Sequence, residues 1–202
     1  TQTKEGCWPG SYGSGAGVVG LGVMTYLAHG EVPGEGKYRV TIKKAVNYIL
    51  SKQVKNGNIG GSMYNHGFAT MALAEVYGQM AEEDERIGVA LKKAVDLIVD
   101  AQNDRGGWRY GTKSKDADVT VTGCQMMALR AAAGAGMEVP AETIRRGAGY
   151  IRTRACASGG FGYTSPSGPT TACSSIGVLV LSLSGYYRTP EVRAGADYLR
   201  AN

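Results

Sequence analysis

Two textures alternate along this chain. Residues 17–28, 68–77, 119–133 and 171–184 are apolar, rich in small side chains and nearly free of charge. Hydrophobicity that runs most of the way round predicts helices buried on most sides. Each of these segments is followed by one with basic residues and helical spacing of its apolar positions: KKAVNYIL from Lys43, KKAVDLIV from Lys92, RRGAGYIR from Arg145 and VRAGADYLR from Val192. That spacing predicts helices with one wet face. Sustained apolar–polar alternation, the mark of a half-buried strand, is missing, so the predicted class is all-α.

The alternation repeats. Four glycine loops precede the four small-residue segments: GCWPGSYG from Gly6, GNIGGSMY from Gly57, RGGWRYG from Arg105 and SGGFGY from Ser158. Tyr48, Leu97, Tyr150 and Tyr198 hold equivalent places, 49, 53 and 48 residues apart. The pattern predicts one repeat domain of four helical hairpins, at residues 6–56, 57–104, 105–157 and 158–202. Stacked hairpins bury their faces against neighbours, and an inner ring of small-residue helices inside an outer amphipathic ring makes an α/α toroid or an arc of one; a straight solenoid is the alternative. Start signals agree, with Pro33 and Pro140 ahead of outer helices and Asn65, Asp118 and Thr170 as cap-type residues at inner ones.

Composition narrows the function classes. Glycine supplies 31 of 202 residues, about twice the usual share of ~7%. The net charge of +5 comes without a basic stripe interleaved with stacking aromatics, so no nucleic-acid partner is expected. No apolar run approaches the ~18 residues of a membrane span. Cys7, Cys124, Cys156 and Cys173 are scattered without CxxC spacing, which predicts reduced thiols and neither a structural zinc nor a disulfide framework. The glycine loops follow no strand and are not a phosphate fingerprint. No cofactor is expected.

The stretch KAVDLIVDAQNDRGGW, residues 93–108, resembles the QW motif of squalene-hopene and oxidosqualene cyclases. Lys93, Ala94, Ile98, Gln102, Gly106 and Trp108 fit it, while Leu97 stands where the motif has an aromatic residue. Degenerate copies run through Lys44, Tyr48, Gln53 and Gly57, and through Arg146, Gly147, Tyr150, Gly159 and Phe161. Gln2, Gly6 and Trp8 are similar to the tail of another copy, and Ala194, Gly195, Tyr198 and Leu199 to the head of one. The resemblance covers the whole chain and implies the α/α toroid shared by terpenoid cyclases and protein prenyltransferase β subunits. Complementary faces on the first and last hairpins are then expected, which would meet, drive self-association or dock additional repeats.

By the same resemblance, Asp116-Ala117-Asp118-Val119-Thr120-Val121 looks like the acid motif of triterpene cyclases, with Asp118 at the proton donor and Val119 in place of a third carboxylate. Asp118 as a helix cap is the competing reading. His66, in the first turn of an inner helix, would orient the acid or be held by local backbone contacts. Tyr64, Tyr110 and Tyr163 are candidates to line a pocket and present ring faces to an isoprenoid or other amphiphile, whereas Trp8 and Trp108 are assigned to bracing. For an enzyme that cyclises or transfers an isoprenoid, as the resemblance implies, the catalytic candidates are therefore Asp118, Asp116 and His66; a non-catalytic helical-repeat scaffold binding a protein or an amphiphilic ligand is the alternative reading. No metal site is expected, since Cys124 lies six residues beyond Asp118 and the prenyltransferase Asp-X-Cys pair is missing.

Overall fold

The computed structural model describes residues 1–81 and 83–202. They form eight α-helices: α1 (Ala16–Ala28), α2 (Arg39–Ser51), α3 (Met63–Val76), α4 (Asp84–Asp100), α5 (Val119–Gly134), α6 (Ala141–Arg152), α7 (Thr171–Leu181) and α8 (Pro190–Ala201). Among the described residues there is no strand, only isolated bridges at Gln53–Ile59 and Ala155–Phe161. The protein is all-helical. Small-residue helices α1, α3, α5 and α7 alternate with amphipathic α2, α4, α6 and α8, each pair following one glycine loop.

Two compact units divide the chain, Thr1–Asp100 with Ala131–Val139, and Ala101–Arg130 with Pro140–Asn202. In the first, α1 packs on α2 and α3, and α3 on α4. α1 and α3 run parallel, because Gly17 meets Asn65 and, one turn on, Gly20 meets Phe68 and Ala69. A Cβ at Gly20 would lie 2.7 Å from the Phe68 carbonyl oxygen, so only glycine permits this approach. In the second unit, α7 packs on α6 and α8.

Two side-chain tethers recur and give the repeat its physical meaning. Gln53 Nε2 donates to the Gly57 carbonyl (3.1 Å) and the Ala90 carbonyl of α4 (2.8 Å), tying a loop to the next amphipathic helix. Gln102 does the same to Gly106 (2.8 Å) and Thr143 (2.9 Å), and Gln2 to Gly6 and Thr41, both at 3.0 Å. Ala155 stands at this place in the fourth repeat and cannot. The second tether is a phenol: Tyr48, Tyr150 and Tyr198 donate to the carbonyls of Ser14 (2.6 Å), Ala117 (2.6 Å) and Pro169 (3.0 Å). Each acceptor lies just before the cap of a small-residue helix. Leu97 has no hydroxyl and makes no such bond.

Three expectations need correction. α3 begins at Met63 rather than residue 68, and its cap is Ser62, whose side chain accepts the Asn65 N–H, not Asn65 itself. Asn65 is engaged elsewhere: its Oδ1 accepts the Gly17 N–H at 3.0 Å. The fourth small-residue helix ends at Leu181, not 184, in a π turn over Ser182–Tyr186 that contains Gly185 at φ 88°. Finally, α1 and α7 are not buried on most sides, since Val18 and Leu21 of the first and Ser175 and Leu179 of the second are exposed.

Candidate functional site

The loop before α5 carries most of the chemistry. Its entry is set by Gly106, whose φ of +85° no L side chain readily adopts and whose Cβ would lie 2.5 Å from the Arg146 carbonyl oxygen. Trp108 follows, buried to 1% exposure. Its N–H donates to Thr122 Oγ1 (3.1 Å), and its carbonyl accepts the Asp118 N–H (3.1 Å). The indole and these two bonds close the loop onto the first turn of α5.

Asp118 caps that turn. Its Oδ1 accepts the Val121 N–H at 2.8 Å and the Thr120 hydroxyl at 2.7 Å. Oδ2 is buried, has no hydrogen-bond partner and faces Arg109 Nη1 at 3.4 Å, an ion contact without hydrogen-bond geometry. The side chain is 0% exposed. Every neighbour named is a donor, the set that an ionised carboxylate, an acceptor only, can use. Asp116 is a looser partner, with its side chain 65% exposed and Oδ2 3.6 Å from Arg109 Nε. Its carbonyl accepts from Asn103 Nδ2 at 2.7 Å.

Arg109 gathers the group. Its guanidinium carbon lies 4.8 Å from the centre of the Tyr110 ring and 5.3 Å from that of Tyr163, with both aspartates at its edge. Burial works against the charge, but Tyr163, Asp118, Asp116 and Tyr110 outweigh it and hold its pKa above the ordinary value. The two phenols lie 2.5 Å apart. Burial first, then the bond to Tyr110 and the field of Asp118, push the Tyr163 phenol up, with Arg109 offsetting part. The Tyr163 carbonyl accepts the Val119 N–H at 3.0 Å. Asp116, Asp118, Tyr110 and Tyr163 are thus one cluster in the second unit. Arg109 was missed in the sequence, although a charged residue set between two aromatics in a glycine loop was the available signal.

His66 and Tyr64 belong to the first unit. His66 is fully buried; its Nδ1 accepts the Ile59 N–H (3.1 Å) and its Nε2 donates to the Ala94 carbonyl (3.0 Å). Burial pulls the imidazole down to about 4, against the upward pull of that carbonyl. His66 is the fourth residue of its helix, as Thr122 is of α5 and Ser174 of α7. Both of those accept the equivalent loop N–H, Trp108 for Thr122 and Phe161 for Ser174 (2.9 Å). Tyr64 is half-buried and stacks on Phe68, ring centres 6.4 Å apart.

Caps show the same equivalence. Ser62 and Thr170 precede α3 and α7 as Asp118 precedes α5, and each accepts the N–H three residues on. The four cysteines are buried, and none is in a disulfide among the described residues. Among the described residues no three His, Cys, Asp or Glu side chains gather as metal ligands, and no helix is long and apolar enough to cross a membrane. No protein-family model matches the chain, and no curated protein matches it significantly.

Proposed function

We propose that this chain is an α/α toroid-type repeat domain, or an arc of one, that binds an amphiphilic, isoprenoid-like molecule without donating a proton to it. The observation that carries the reading is Asp118. Its carboxyl caps α5 and faces Arg109 with no exposed surface, which leaves no face for a substrate alkene. Parallel α1 and α3, each followed by an amphipathic helix, support the toroid, as does the likeness of the loops to QW motifs. The Tyr110 and Tyr163 rings supply the aromatic surface an apolar chain would use, Tyr110 being 47% exposed.

One observation favours the enzymatic alternative: Asp118 Oδ2 is a buried oxygen without a hydrogen-bond partner at the position similar to the cyclase acid. Calorimetric titration with farnesyl diphosphate and with squalene dispersed in detergent tests the binding that both readings require. Saturable binding that Asp118→Asn retains and Tyr110→Ala weakens is expected. No binding of either molecule by the wild type would overturn the proposal.

A further inference from the structure

The first unit contains a cavity of about 780 Å³, formed where the loop between α1 and α2 crosses the loop between α3 and α4. That volume is in the range of small-molecule sites, ~300 to 1,000 Å³. The crossing is tight: a Cβ at Gly34 would lie 2.9 Å from the Gln79 carbonyl oxygen. The first turns of α2 supply the third wall through Arg39, Val40 and Lys43.

The wall is apolar between charges. Val32 and Val40 are about half exposed, and Met80, on the same wall, is buried. Among the described residues four charged side chains line it, and two of them pair: Lys43 Nζ lies 2.9 Å from Glu83 Oε1, whose side chain is 9% exposed. Asp84, next in the chain, is spent on the loop, its Oδ1 accepting the Gly78 and Met80 N–H groups. The Gln79 amide donates to the Glu75 carbonyl. Glu35 and Arg39 remain, both exposed. Neither side chain has an ion-pair or hydrogen-bond partner among the described residues.

We infer that this cavity binds a small zwitterion with apolar side chains, the size of a di- or tripeptide, with its carboxylate on Arg39 and its ammonium on Glu35. A guanidinium fork matches a carboxylate in two parallel bonds, and a carboxylate accepts an ammonium through charge-assisted bonds. The valines and Met80 then take the side chains. A simple anion would use Arg39 but leave Glu35 unmatched, and a simple cation would do the reverse. The site lies wholly in the first unit and does not depend on how the Arg109 cluster works.

Calorimetric titration of the whole chain with Leu-Leu, N-acetyl-Leu-Leu and Leu-Leu amide tests it. Leu-Leu should bind saturably, and each blocked peptide about tenfold or more weaker, since each loses one charge-assisted contact. Arg39→Gln should bind Leu-Leu no better than its amide, and Glu35→Gln no better than the acetylated form. Both residues are exposed, so circular dichroism melts should match wild type. If a variant does not fold, the three peptides on the wild-type chain still decide. Absence of saturable Leu-Leu binding overturns the inference. Equal binding of either blocked form also overturns it, because one charge would then have no role.

Discussion

Removing the Asp118 side chain takes away two things at once, a cap on α5 and the buried partner of Arg109. Loss of an N-cap costs about 1 kcal/mol, and the ion contact adds to it, discounted because Arg109 is partly in water. Asp118→Ala should therefore lower stability by about 2 kcal/mol. Asp118→Asn, which caps as well, should lose about half that, and thermal denaturation of the two variants checks the order. His66 gives a pH effect with a definite sign. Its folded value of about 4 lies below the ordinary 6.5, so between them the unfolded chain binds the extra proton. The stability it confers is complete above pH 6.5 and declines as pH falls towards 4, by about 3 kcal/mol in all. His66→Gln, which keeps a donor and an acceptor but does not titrate, should flatten that slope in urea unfolding at pH 7 and pH 4.5. An unchanged slope would mean the imidazole is not held neutral.

Helices and loops are joined by a small set of reused tethers, and their losses are as informative as their presence. Gln102→Ala removes two bonds to carbonyls in the loop and α6, and should cost about 1 to 2 kcal/mol. Gly106→Ala should cost more, because the same junction then carries both a positive φ and a 2.5 Å approach to a carbonyl oxygen. Equilibrium unfolding in urea ranks them. A Gln102→Ala variant as stable as wild type would remove the tether from the account. At this scale the sequence was legible where a chemical pattern repeats. The glutamine and glycine spacing is legible because the backbone carbonyls that the glutamines bind recur from loop to loop. The sequence was not legible where one function passes between residue types. The slot that takes the loop N–H is His66, Thr122 and Ser174 in turn. The cap is Ser62, Asp118 and Thr170. Asn65 looked like a cap because its amide suits one, but the close approach of α1 claims that amide for Gly17.

Taken across the whole chain, these equivalences bear on what the protein does. A lone Asp118 in an Asp-X-Asp pattern reads as an acid. Set beside Ser62 and Thr170, it reads as a member of a structural series, to which Arg109 and Tyr110 of its own loop and Tyr163 of the next have been added. The all-helical class was legible from periodicity, since buried and amphipathic helices leave different imprints. The Arg109 cluster was not, because it depends on Tyr163 arriving from a loop 53 residues beyond Tyr110. The central claim is that Asp118 holds the loop and does not protonate a substrate. Incubation of the whole chain with squalene in deuterium oxide, followed by mass spectrometry of the lipid products, tests this most directly, because a general acid in exchange with solvent would deliver a deuteron to the product. Unlabelled, uncyclised squalene is the predicted result. A deuterium-bearing cyclised product formed by the wild type and lost in Asp118→Asn would contradict it.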